Sequence, residues 1–184
     1  DEVWVAAGIY YPTSQPNYKI GSAEPEFNHF TLKNGVKILG GFAGDETNVE
    51  QRDLDVNKSV LSADIDQNDD VENDGYVTDH NKVNGRNGYH LFYFPEGSKL
   101  DSTAVLDGFV LNGAVSDYFD KKNTVYRNGA AIFCRDASPK LMNCDFFGNY
   151  ALNSGGAIYL ENSSMIIDNC TFSGNYSPSD LAHT

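Results

Sequence analysis

Residues 128–153 and 154–179 are one 26-residue unit written twice. Set over each other, NGAAIFCRDASPKLMNCDFFGNYALN and SGGAIYLENSSMIIDNCTFSGNYSPS share ten identical positions without a gap, where unrelated stretches share roughly one or two. The offset is constant: Ala131 and Ala157, Ile132 and Ile158, Asn143 and Asn169, Cys144 and Cys170, Phe146 and Phe172, Asn149 and Asn175 all differ by 26. A fixed period places like side chains over one another, so the chain is read as a solenoid.

The contents of the period decide which solenoid. Each unit holds short β-type runs, AAIFC or GAIYL and then PKLMNCDFF or MIIDNCTFS, separated by Gly, Asn and Ser. Neither unit has a stretch with apolar residues at helical spacing, which excludes helical repeats. About 26 residues with two or three short strands and polar turns make one coil of a parallel β-helix, an all-β fold. Alternation then predicts inward columns: Ile132 over Ile158, Cys134 over Leu160, Leu141 over Ile167, Cys144 over Cys170 and Phe146 over Phe172. Asparagine tolerates left-handed bends and can bond along a stack, which accounts for Asn143 over Asn169 and Asn149 over Asn175. Stacked Cys144 and Cys170 are expected as a buried thiol ladder in preference to a bridge.

At these residues the chain resembles a known family. GAAI and GGAI, with FFGN and FSGN, are similar to the GGAI and FxxN signatures of the polymorphic outer membrane protein repeat of bacterial surface and secreted proteins. Strict matching covers 128–175, and Gly129-Ala130 departs from the Gly-Gly of the motif. Upstream, 1–12, 32–47 and 59–66 resemble the opening coils of pectate-lyase-like right-handed β-helices. The resemblance implies an extracellular or cell-surface stalk without itself implying an active site. Right-handedness rests on this likeness together with the crossover rule.

The remaining chain reads as imperfect coils with insertions. VLDGFVLNG (105–113) matches MNCDFFGN in role, with Asp107-Gly108 at Asn143-Cys144, an offset of 36 explained by ten residues inserted within 116–127. YHLFYF (89–94) would be the strand equivalent to GAIYL. Excursions from the wall are expected at 10–28, 66–88 and 114–127, and such insertions often gather on a binding face. Their tyrosines Tyr10, Tyr11, Tyr18, Tyr118 and Tyr126 are candidates for stacking on a glycan or a surface protein.

One domain spanning 1–184 has room for about seven coils. The chain carries no apolar run long enough for a membrane span. A net charge of −13 argues against nucleic acid and anionic membranes. Three cysteines without CxxC exclude a disulfide scaffold. The chain opens on a strand and stops where another coil is expected. It is therefore expected to be a segment of a longer protein, or to have partners capping its ends.

Among chemical candidates, Asp64, Asp66, Asn68 and Asp70 alternate oxygen side chains on a short loop, a pattern that can converge on calcium. Asp69 and Gly75 break the EF-hand pattern. Polysaccharide cleavage would need converging carboxylates, or Asp with Arg, and Asp107, Asp136, Asp145, Asp168, Arg127 and Arg135 are the candidates. Repeat alignment weakens them, since Asp136 is matched by Asn162, Asp145 by Thr171 and Arg135 by Glu161. His29, His80, His90 and His183 lack metal-ligand spacing, and Gly40-Gly41-Phe42-Ala43-Gly44 lacks the Lys-Ser/Thr of a phosphate loop. The reading is a structural or adhesive stalk. Its alternatives are a polysaccharide lyase or hydrolase, and a passive component of a larger secretion or surface assembly.

Overall fold

Short apolar runs, several of them closed by a glycine or asparagine, become strands of two to six residues. In the computed structural model, residues 1–13, 25–118 and 124–178 are described. Among the described residues fifteen strands, numbered in chain order, build parallel sheets, and the only helical turns are short 3₁₀ segments. The first sheet runs β1 (Glu2–Ala6), β3 (Lys37–Phe42), β6 (Val105–Asp107), β10 (Lys140–Met142) and β14 (Ile166–Asp168). The second runs β2 (Gly8–Tyr10), β4 (Ser59–Ser62), β7 (Phe109–Asn112), β11 (Asp145–Phe147) and β15 (Thr171–Ser173). The third holds β5 (Phe92–Phe94), β9 (Ile132–Arg135) and β13 (Ile158–Glu161), and β8 (Val115–Ser116) pairs with β12 (Tyr150–Ala151). Parallel pairing of strands distant in sequence needs a long return path, which this chain supplies through the other sheets. All-β composition with parallel pairing is consistent with a β-helix.

The 26-residue offset governs the last step: Lys140 pairs with Ile166, Asp145 with Thr171 and Ile132 with Ile158. One step earlier the offset is 35, because Met142 pairs with Asp107 and Asp145 with Val110. This corrects the expected 36. Gly108, and not Asp107, shares the corner with Asn143 and Asn169. The backbone gives the reason, since Gly108, Asn143 and Asn169 have φ of 81°, 49° and 52°. A left-handed corner is open to glycine and asparagine at little cost. Asp136 and Asn162 likewise share φ of 51°, so their pairing reflects a turn constraint, where free outward variation was expected. The first two sheets are five strands deep, compared with the seven coils obtained by dividing length by period. Residues 43–58 and 63–91 are spent outside the first two sheets.

The inward columns form the core. Leu106, Leu111, Ile132, Cys134, Leu141, Cys144 and Phe146 have essentially no exposure. Each such large apolar side chain contributes about 1.5–3 kcal/mol by leaving water. Phe146 and Phe172 stack with centroids 4.6 Å apart. Phe172 is nevertheless 46% exposed and Ile167 41%, because among the described residues the last rung has a neighbour on one side only.

Candidate functional site

The acidic loop is organised by backbone amides. Asp64 is buried, and its two carboxylate oxygens accept from the N–H groups of Asn68 (3.2 Å) and Asp69 (3.0 Å). Asp66 accepts from the N–H of Arg86 at 3.2 Å. Asp69 is buried too; it accepts from Asn84 N–H at 2.6 Å and from Asn87 Nδ2 at 3.0 Å. Burial pushes the Asp69 carboxyl up to about 6, with Asp64 and Asp66 acting in the same direction. Asp70 is exposed, and its backbone N–H bonds Lys82 O. Of the expected set, the Asp66 and Asn68 side chains meet beside Gly85 and Asp64 is tied to the Asn68 amide, while Asp70 is exposed and Asp69 faces inward. Among the described residues no three His, Cys, Asp or Glu side chains converge as a metal centre.

The 66–88 excursion does not project from the wall. It doubles back as a strap along the outer side of the second sheet. Tyr76 stacks on Phe147 (5.6 Å between centroids, 5° between planes) and is buried with Val60 and Val110. The amide of Asn112 clasps Val77, accepting from its N–H at 3.1 Å and donating to its carbonyl at 2.6 Å. His80 N–H donates to Gly174 O at 3.1 Å, and the His80 ring lies on Tyr176. The strap thus spans four successive rungs. Gly148 and Gly174 repeat at 26 because of it: both are left-handed, and a Cβ would meet Val77 Cγ2 at the first and Thr78 O at the second. The repeated glycine was visible in the sequence; its partner was not.

A second packed surface covers the third sheet. Phe27, His29, Tyr89, His90, Tyr93, Tyr118 and Tyr126 form an aromatic box. Tyr126 is only 5% exposed, and the Tyr10 hydroxyl bonds Ala6 O. Two tyrosines expected to meet a ligand are thus engaged within the fold, and Tyr118 packs edge-on against Phe27. Tyr18 and His183 lie outside the described residues. Val115 and Ser116, assigned to an excursion at 114–127, form β8. His90 Nδ1 donates to Gly129 O at 2.8 Å and His29 Nδ1 to Phe27 O at 3.0 Å. Their Nε2 atoms and Glu26 Oε2 are buried without a partner; all three residues line a cavity of ≈ 20 Å³. Burial depresses both imidazoles, His90 to about 3.

The catalytic candidates do not assemble. Asp107 is buried against Arg52 Nη2 (2.9 Å) and accepts from Asn143 Nδ2 (2.7 Å). Asp145 sits 3.8 Å from Lys58, and Arg135 pairs with Glu161 at 2.8 Å. Asp136 occupies a left-handed turn, and Asp168 is exposed on β14. A groove of ≈ 690 Å³ crosses the first sheet, lined by Lys37, Arg52, Thr103, Asp107 and Lys140 among others. Its buried carboxylate, Asp107, is held in an ion pair with Arg52.

The stacked columns are continuous. Asn169 Nδ2 donates to Asn143 Oδ1 at 2.6 Å, which extends the Arg52–Asp107–Asn143 chain. Asn149 Nδ2 donates to Asn175 Oδ1 at 2.8 Å and to Leu111 O at 3.1 Å, and Asn149 Oδ1 accepts from Ala114 N–H. These bonds tie adjacent rungs through side chains as well as backbone.

Fold and columns together define a repetitive all-β chain of parallel sheets. Residues 143–161 match the Chlamydia polymorphic membrane protein repeat, and these residues join one asparagine–cysteine–phenylalanine set to the Gly-Gly-Ala-Ile run that follows. No curated protein and no solved structure matches the chain.

Proposed function

We propose that the chain is one domain of a right-handed parallel β-helix, with about 26 residues in an uninterrupted coil, that serves as a stalk of a bacterial cell-surface or secreted protein. The observation that carries this reading is the continuity of like side chains from rung to rung, joined to the repeat match at 143–161. Columns of packed Phe, Ile and hydrogen-bonded Asn stiffen a rod, because slipping one rung breaks every column at once. The strap adds to this by crossing four rungs.

The surface offered for adhesion is the outer side of the strap, where Asp66, Asp70, Glu72 and Asp74 are exposed. With Tyr126 buried and Tyr10 engaged by Ala6, this charge favours a basic protein surface over glycan stacking as the partner. Two experiments test the reading separately. On intact cells making the parent protein, external protease is expected to remove the epitope at 128–178, and protection would overturn the surface reading. Beads coated with the segment are expected to adhere to cells more strongly than beads coated with Asp66→Asn/Asp70→Asn/Asp74→Asn, and equal adhesion would remove the strap from that role. Release of unsaturated ends from an acidic polysaccharide would restore the lyase alternative.

A further inference from the structure

Cys144 and Cys170 occupy the same column one rung apart. The pairs on either side fix this: Met142 lies beside Asp168 and Asp145 beside Thr171, while Thr171 N–H donates to Cys144 O at 2.9 Å. Neighbouring parallel strands are roughly 4.8 Å apart, inside the roughly 4.4–6.8 Å Cα separation that a disulfide accepts. The two thiols are oriented alike, Cys144 Sγ donating to Met142 O (3.1 Å) and Cys170 Sγ to Asp168 O (3.4 Å). Their environments differ. Cys144 is fully buried, and Cys170 is half-buried on the last of the described rungs.

We propose that Cys144 and Cys170 are a cross-linking site, which closes to an inter-rung disulfide by exchange with a low-molecular-weight disulfide such as oxidised glutathione. Cys170 reacts first. It is the accessible partner, and hydrogen bonding from Cys144 holds its thiol down at about 7, whereas burial drives Cys144 well up. The Cys170 thiolate attacks one sulfur of the small disulfide and releases one small thiolate. The released thiolate takes the Cys144 proton; the Cys144 sulfur then attacks Cys170 Sγ and expels the second small thiolate. Two protein thiols are oxidised and one small disulfide is reduced to two thiols. Cys134 is left out, because its column neighbour is Leu160 and its Sγ is turned to Ala137 O at 3.2 Å. The step needs only the rung register and is independent of the stalk reading.

The test is incubation of the folded chain with oxidised glutathione, followed by denaturation and alkylation. The expected result is a protein two hydrogen atoms lighter with one alkylated thiol, a Cys144–Cys170 linked peptide, and a melting midpoint raised by roughly 5–10 °C. Cys134→Ser should form the same bridge with no alkylated thiol, and Cys170→Ser should form no bridge. Three alkylated thiols, a persistent glutathione adduct on Cys170, or a bridge that includes Cys134 would each overturn the proposal.

Discussion

His80 lies flat on Tyr176, ring centroids 4.5 Å apart and planes 9° from parallel, although 96 residues separate them in the chain. The contact ties the tip of the strap to the last rung. His80→Ala is expected to cost about 0.5–1.5 kcal/mol, the range of a stacked aromatic pair. Tyr76→Ala, which empties a buried site, should cost about 3 kcal/mol. Urea unfolding of both variants measures this, and an unchanged midpoint for Tyr76→Ala would mean that the strap lies off the wall in solution.

Two left-handed glycines separate backbone strain from strap contact. Gly35 has φ of 75° with open space around it, while Gly148 has φ of 64° with Val77 against it. Gly35→Ala should lose about 1–2 kcal/mol from conformation alone. Gly148→Ala should lose at least about 1 kcal/mol more, because the strap must lift. Equal losses would contradict the close approach of Val77.

The asparagine columns differ in worth by burial. Asn149→Ala orphans Ala114 N–H and Leu111 O inside the protein and is expected to cost about 2–4 kcal/mol. Asn175→Ala, on the open rung, should cost no more than about 1 kcal/mol. Comparable losses in chemical denaturation would show that the last rung is covered in solution.

Acid should weaken the fold. A histidine whose folded pKa is depressed stabilises above its unfolded value near 6.5 and loses that stability as pH falls, by about 1.4 kcal/mol per pH unit. His29 and His90 both act this way. Asp69 opposes them: raised to about 6, its contribution is present below about 4 and is lost as pH rises through 6. Across this window Asp117, also raised by burial, sides with Asp69, while the Glu46 and Asp101 carboxyls, held down by hydrogen bonds, side with the histidines and tip the sum towards loss in acid. Melting curves across this window should therefore fall with acid, flatten in His90→Phe and steepen in Asp69→Asn. A wild-type midpoint independent of pH would refute the buried neutral histidines.

Asp64 anchors its loop through two amides, so Asp64→Ala is expected to cost about 1–3 kcal/mol, and equally in calcium and in chelator. Wild-type melts that rise with calcium, together with saturable calorimetric binding, would return this loop to the metal reading.

Much of the wall was legible in the chain itself. Side chains 26 residues apart that share identity and spacing must stack if the period is kept, so Ile132 over Ile158 and Phe146 over Phe172 needed no tertiary information. The corner at Asn143 shows the limit. An insertion lies between the earlier rungs, and Asp107-Gly108 fits the motif at 36 as well as at 35 until the left-handed backbone assigns Gly108 to the corner. Periodicity is equally silent on what an insertion does. Residues 66–88 carry few aliphatic side chains and read as solvated, yet Tyr76, Val77 and His80 each find a partner on a different rung. The burial of Asp69 against Asn84 and Asn87 is hidden from the sequence for the same reason. The parallel stack follows from the repeat alone, because identical rungs satisfy one another's columns. The strap, the aromatic box and the five-strand depth depend on contacts between residues that no repeat relates, so they are set by the fold.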